Sequence, residues 1–262
     1  LTPDKKPEHL LALHINHQLQ AKAEDWSAHC ESVCAQLGIP FVVQAVDVPS
    51  DQGSLEEAAR NARYAVFEDI IGADDVLLMG HHADDQLETL LLRLMRGTGP
   101  DGMSGIPQSR SVGQGTLHRP LLEATREQIE HYANQNALQW VEDPSNADAR
   151  FDHNYLRNAV IPLFKSRWPK AVTTASRYAS LATEQNSDFQ ELLEKPYNDI
   201  VDKGGRFDLM AWQAQPQPLQ TALLRRWLKH QGQMAASQAM LEHIQRQVIN
   251  AQADAQPVYQ ID

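Results

Sequence analysis

The run His81-His82-Ala83-Asp84-Asp85-Gln86-Leu87-Glu88 places two imidazoles and three carboxylates inside eight positions. Such groups exchange protons and meet cations. Asp84, Asp85 and Glu88 fall within one helical turn, so a helix presents them on one face. A structural role competes for two of them. Carboxylates at a helix start accept from free backbone amides and sit at the positive end of the helix dipole, which accounts for Asp84 and Asp85. It leaves Glu88 and the paired histidines without a purpose. The stretch therefore reads as a functional site in which capping is one component.

The flanking pattern places that site. Val76-Leu77-Leu78-Met79 is a short apolar run of the kind a buried parallel strand shows. Leu87, Leu90, Leu91 and Leu94 recur at helical spacing, and Gly97 supplies a stop. The charged cluster thus lies where a strand's carboxyl end turns into a helix, the edge at which open α/β sheets bind ligands. Upstream, residues 10–15 and 41–48 read as strands. Between them runs a helix over 23–37, ended by Gly38 and Pro40, and after them a helix from a Ser54/Glu57 capping box to Gly72. Strands alternating with helices indicate an α/β fold with a doubly wound parallel sheet.

Downstream, 97–118 holds six glycines and two prolines without a period, a loop with a hairpin near Gly113-Gln114-Gly115. Thr125 and Gln128 cap a further helix. Leu138–Val141 reads as a short strand, and 154–161 as a helix ended by Pro162. Past Trp168-Pro169 only helical patterns remain, at about 172–194, 218–230 and 237–250. This predicts two domains, 1–168 and an all-helical 169–262.

Composition narrows the classes. No stretch approaches the ~18 apolar residues of a membrane helix. Cys30 and Cys34 are spaced as one helix face with Trp26 and Leu37, which predicts reduced, packed thiols and a cytoplasmic setting. A formal charge of -11 disfavours indiscriminate nucleic-acid binding. A local exception exists: Arg150, Arg157, Lys165, Arg167, Lys170 and Arg177 stand against the single acid Asp152, either a phosphate-binding surface or a solvated helix face.

Taken in order, these segments resemble the tRNA(Ile)-lysidine synthetases. The residues that carry the resemblance are His81–Thr89, Arg96-Gly-Thr-Gly-Pro-Asp-Gly102, Arg119-Pro-Leu-Leu122 and Glu142-Asp-Pro-Ser-Asn146 with Asn154 and Arg157. Leu13–His17 and Ala58–Tyr64 fit the same family. The resemblance implies an adenine-nucleotide alpha-hydrolase-like (N-type ATP-pyrophosphatase) catalytic domain and a helical tRNA-binding domain, in a cytoplasmic ligase. The family uses ATP and Mg²⁺ to adenylate C2 of the wobble cytidine of the minor tRNA(Ile) with a CAU anticodon. Free L-lysine then attacks, changing AUG to AUA reading. On this reading Asp85 and Glu88 meet the lysine ammonium groups or deprotonate its nucleophile. His81, Asp84 or Asp85 helps place Mg²⁺ and phosphates, with Asp84 the candidate metal ligand. Arg60, Arg63, Arg119 and Arg157 offset negative charge, while Glu142, Asn146 and Asn154 shape the base and tRNA sites.

Three features depart from the family. Its Ser-Gly-Gly-x-Asp-Ser phosphate loop, which cradles ATP phosphates with backbone amides, occurs nowhere in residues 1–262. The carboxy-terminal domain is likewise not represented, and His153 stands where the family commonly has arginine. These departures predict that residues 1–262 alone are inactive or nearly so. Rival readings are a tRNA thiolation enzyme, disfavoured by the Cys30/Cys34 spacing, a metal-dependent phosphoesterase using the His/Asp cluster, and a non-catalytic tRNA-binding fragment. A homodimeric state is left open.

Overall fold

A computed structural model describes residues 10–20, 22–48, 55–232, 240–244 and 246. Strand β1, Ala12–Asn16, pairs in parallel with β2, Phe41–Ala45, and Ala12 stands opposite Phe41. The crossover is helix α1, Ala23–Leu37. Its end is set by Gly38 at φ 64, a left-handed position that Gly takes without a Cβ penalty, and the Gly38 N–H donates to the Ala35 carbonyl at 3.1 Å. Helix α2, Leu55–Ile70, leads to β3, Val76–Leu78. Ser54, the expected cap of α2, lies outside the described residues.

Strand β3 pairs in parallel with β5, Gly115–His118, and β5 pairs antiparallel with β4, Ser109–Val112. The expected hairpin is therefore present, as β4–β5. Helix α3, Ala83–Met95, forms the crossover from β3. The glycine-rich stretch between α3 and β4 contains a 3-10 turn at Pro100–Ser104 and is held from α3. Arg93 Nη1 donates to the carbonyls of Gly102 and Gly105 at 2.6 and 2.8 Å. The Gln86 amide pairs with both backbone groups of Ile106 at 2.7 and 2.8 Å. Gly105 sits at φ +64, and a Cβ there would meet Gln86 Oε1 at 2.3 Å.

Two buried clusters stabilise this region. Tyr64, Phe67, Val112 and Leu117 pack together, with Leu13, Ile15, Leu77 and Met79 around them. Ala83 and Leu87 of α3 pack against Ile161 and Val172. Each fully buried large side chain contributes about 1.5–3 kcal/mol, so these contacts set the position of α2 and of the α3 amino end. Helix α4, Arg126–Gln135, begins at the expected box: the Thr125 hydroxyl accepts from Gln128 N–H at 3.2 Å.

Several expectations need correction. Leu138–Val141 is not a strand; Leu138, Trp140 and Val141 are exposed and pair with no ladder, following Ala137 at φ 50. Pro162 does not end a helix. Helix α5, Asp152–Tyr155, passes through one π turn, Leu156–Val160, into α6, Ile161–Arg167. The proline occupies the first turn of α6, where its missing N–H costs nothing. Cys30 and Cys34 are free but only half buried, and Leu37 is exposed; α1 buries Ala23 and Ser27 instead. Val42, Val43, Val76 and Leu78 are exposed rather than buried, because among the described residues the two ladders are separate and leave those faces uncovered.

The chain groups into two compact units, Leu1–Ser180 and Leu181–Asp262. Trp168-Pro169 marks the turn from α6 into α7, Ala171–Ile200. The second unit has its own core of Leu193, Tyr197, Ile200, Trp212, Leu223, Leu224, Leu228 and Leu241. Helices α8, Leu209–Gln213, and α9, Gln217–His230, supply much of it. Trp212 Nε1 donates to the Gln220 carbonyl and Trp227 Nε1 to that of Gly205, both at 2.9 Å. The helix expected over 237–250 falls mostly outside the described residues; 240–244 and 246 are helical.

Candidate active site

Helix α3 orders the cluster from its first turn. The Asp85 Oδ2 accepts from the backbone N–H of His82 at 2.9 Å, fixing the helix start. Glu88 is 2% exposed, and Arg157 from the π turn grips it with two bonds, Nε to Oε1 at 2.7 Å and Nη2 to Oε2 at 2.8 Å. The same Nη2 reaches Asp85 Oδ1 at 3.4 Å. His153 lies 3.7 Å from Glu88 and 3.7 Å from Glu56 of α2. Burial alone would raise the Glu88 pKa; the contacts with His153 and Arg157 outweigh it and hold the carboxyl below its usual range. Glu88 in turn raises Arg157, whose charge is fixed.

Asp84 faces elsewhere. Its Oδ1 accepts from Lys165 Nζ at 2.6 Å and its Oδ2 from the backbone N–H of Arg126 at 2.8 Å. Burial works to raise this carboxyl, but the Arg126 and Lys165 bonds hold it below its usual value. Asp84 therefore ties α3 to the start of α4 and to α6. Its cavity, of about 630 Å³, is shared with Glu88, Arg126, Glu130, Arg157 and Lys165. Among the described residues no three His, Cys, Asp or Glu side chains gather as a metal nest.

The larger cavity, about 1150 Å³, opens on the other side of the Glu88–Arg157 pair. Eight arginines line it (60, 63, 93, 96, 110, 119, 150 and 157), against five carboxylates, those of Glu56, Glu57, Asp85, Glu88 and Asp152. In a chain of net charge -11 this is a local reversal of sign, and it suits an anionic ligand beside a carboxylate. His81 also lines it, and its Nδ1 accepts from Arg119 Nε at 3.2 Å. Burial, then the Arg119 charge, lowers the His81 pKa, so the imidazole is neutral and its Nε2 carries the hydrogen.

Of the residues expected from sequence, Arg60, Arg63, His81, Asp85, Glu88, Arg119, Asn146 and Arg157 share this cavity. Asp84, Glu142 and Asn154 do not line it. Glu142 is exposed and accepts from Trp140 Nε1 at 3.0 Å. Asn154 is buried, and its amide donates to the carbonyls of Ser145 and Asp148 at 2.8 and 3.0 Å, bracing the loop that carries Asn146. The basic run also divides. Arg150 and Arg157 face the cavity, Lys165 serves Asp84, and Arg167 lies over its neighbour Trp168 at 5.8 Å. Sequence reasoning missed Arg93 and Arg110. Helical period would have found the first, since 85, 88, 89, 92, 93 and 96 form one stripe of α3; Arg110, on β4, has no local signal.

A family model described as a PP-loop domain matches residues 2–164, and one described as a TilS substrate binding domain matches residues 207–262. A tRNA(Ile)-lysidine synthase of Serratia proteamaculans is 41% identical over 252 residues, covering 96% of this chain and 58% of the relative. One of Pseudomonas fluorescens is 49% identical over 185 residues, covering 71% of this chain and 42% of the relative. The chain thus spans about half the length of these curated relatives. A solved structure, the U34-tRNA thiolase NcsA from Methanococcus maripaludis with its [4Fe-4S] cluster, superposes with a TM-score of 0.54 at 13% identity. It covers 67% of this chain and 62% of that one, a likeness of fold.

Proposed function

The chain belongs to the PP-loop domain family, and on that premise we propose that it is the major part of a tRNA(Ile)-lysidine synthetase, a ligase of the cytoplasm. Among the described residues no helix is long and apolar enough to cross a membrane. Residues 1–168 form the catalytic part in this reading and 169–262 a helical tRNA-binding part. The substrates are ATP, the tRNA(Ile) with a CAU anticodon, and free L-lysine. The cytidine C2 oxygen takes the adenylyl group and pyrophosphate leaves; the lysine amine then forms the C–N bond at C2, and AMP departs with the C–O bond.

The observation that carries this reading is a cavity that sets the Asp85 carboxylate beside an arginine wall. Asp85 is the group placed to hold the lysine ammonium or take its proton, since its Oδ1 faces Arg157 only at 3.4 Å. Glu88 holds Arg157 rather than lysine, because both its oxygens are engaged. Arg157, Arg60, Arg63 and Arg119 offset the charge of the adenylate and of RNA phosphate. His81, neutral and hydrogen-bonded by Arg119, offers its Nε2 hydrogen to a phosphate oxygen. Asn146 lines the same cavity, and Asn154 braces the loop that carries it, while Glu142 lies outside the cavity. The donors of Asp84 do not fit a divalent cation, as Lys165 and the Arg126 amide occupy both oxygens. Mg²⁺ would enter this scheme only as the counterion of ATP.

The test is transfer of labelled lysine to the CAU-anticodon tRNA(Ile), ATP-dependent, by this sequence joined to the amino-terminal segment of a full-length relative. Transfer that falls at least a hundredfold in Asp85→Ala supports the reading; a well-folded protein that transfers none sinks it.

A further inference from the structure

Tyr64 of α2 is placed unusually for a core aromatic. It is 8% exposed and packs edge-on to Phe67 at 5.6 Å, yet three guanidinium carbons lie within 6 Å of its ring: Arg110 at 4.6 Å, Arg60 at 4.9 Å and Arg63 at 5.9 Å. These cations come from two elements, α2 and β4, and all three line the large cavity. A fourth, Arg119, stands near the phenol. Among the described residues none of the four forms an ion pair with a carboxylate, although like charges crowded this way repel. Arg63 Nε is a buried donor without a hydrogen-bond partner. A cluster of unpaired cations is held together by something other than acid, and the aromatic face is the group present to do it.

We propose that Tyr64 is a positioning residue whose ring gathers Arg60, Arg63 and Arg110 into a preformed seat for a phosphate group. This deepens the ligase reading and rests on it for the identity of the phosphate, which is either a nucleotide polyphosphate or an RNA phosphodiester. The chemistry is shared by both. Guanidiniums held in place lose less rotamer freedom when an anion arrives, so the seat binds more tightly than three free side chains would. Direction of titration agrees: burial would raise the Tyr64 phenol, but the Arg110 hydrogen bond and the charges of Arg60, Arg110 and Arg119 bring it below its usual value. The phenol hydroxyl meets Arg110 and Arg119 and reaches the Met79 sulfur at 3.8 Å, whereas the ring face is what Arg60, Arg63 and Arg110 share.

The experiment compares Tyr64→Leu, Tyr64→Phe and Phe67→Leu in binding inorganic tripolyphosphate and a short single-stranded oligoribonucleotide, each by calorimetric titration. Phe67 shares the same cluster but faces no arginine, so it controls for loss of core packing. Thermal unfolding checks that each variant is folded. Tyr64→Leu is expected to bind about tenfold more weakly. Tyr64→Phe, which keeps the ring face, and Phe67→Leu stay within about threefold. Loss with tripolyphosphate alone assigns the seat to the nucleotide, loss with RNA alone to the tRNA backbone, and loss with both to either; each supports the proposal. Unchanged affinity in a folded Tyr64→Leu, equal loss in Phe67→Leu, or no binding of either anion by the unsubstituted chain overturns it. If the sequence joined to the amino-terminal segment of a full-length relative seats the anions as stated but transfers no lysine, the ligase reading is refuted and this one stands.

Discussion

Removing Arg157 tests the centre of the site, because the pair it makes with Glu88 crosses 69 residues of sequence. Glu88 is 2% exposed and the Arg157 side chain 29%, so the carboxylate is the desolvated partner. Arg157→Ala leaves that carboxylate in the interior with only His153, at 3.7 Å, to answer it. Breaking one side of a buried pair costs about 3 kcal/mol at neutral pH, a loss of roughly 6–12 °C in Tm for a unit of this size. The pH dependence has a defined sign. In the unsubstituted protein Glu88 is depressed, so its contribution is fully present above the unfolded carboxyl value of about 4.3 and is lost as pH falls through the lower folded value. In Arg157→Ala burial acts unopposed by the guanidinium and lifts the folded value above the unfolded one. The penalty then grows as pH rises past about 4.3, and the stability gap between the two proteins is smaller at about pH 5 than at about pH 7. Urea unfolding at both pH values, followed by tryptophan fluorescence, measures the gap. Glu88→Gln added to Arg157→Ala removes the stranded charge and should restore about 1–2 kcal/mol at neutral pH. A gap below about 1 kcal/mol, a gap independent of pH, or no recovery in the double variant would refute the reasoning.

Two further perturbations separate scaffold from chemistry. Asp84→Ala strands the Arg126 amide and frees Lys165, and should cost about 2 kcal/mol in urea unfolding while leaving tripolyphosphate affinity unchanged; an affinity change without a stability change would return Asp84 to the binding site. Because Asp84 is also depressed, its contribution is lost as pH falls below about 3.9, and the variant should lack that part of the acid transition. Gly105→Ala puts a Cβ at φ +64 against Gln86 and should cost about 1–2 kcal/mol locally. Limited proteolysis should then cut faster within 97–108; an unchanged cutting rate would mean that the Gln86–Ile106 pairing does not hold that loop.

Local chemistry was legible in the sequence. Gly38, the Thr125/Gln128 box and the leucine period of α3 each act within a few residues, so helix starts and stops could be read directly. The order of short motifs pointed to an N-type ATP-pyrophosphatase catalytic domain, and the family match shows a PP-loop domain. Errors arose where a pattern had two readings of equal local merit. Leu138–Val141 has the apolar content of a strand, but only a neighbouring ladder makes a strand, and none is hydrogen-bonded to it. Pro162 reads as a stop until a π turn brings it to the first turn of a new helix.

The same division holds for the site. Sequence alone determined that Asp84, Asp85 and Glu88 share one arc of a helix, because 3.6 residues per turn is a property of the backbone. It could not determine what each of them holds, since the partners arrive from far along the chain: Arg126 and Lys165 at separations of 42 and 81 residues, Arg157 at 69. Tertiary structure made Asp84 a tie between helices, Glu88 a buried anchor and Asp85 the carboxylate facing the arginines. A carboxyl's role depends on what replaces its water, and only packing supplies the replacement.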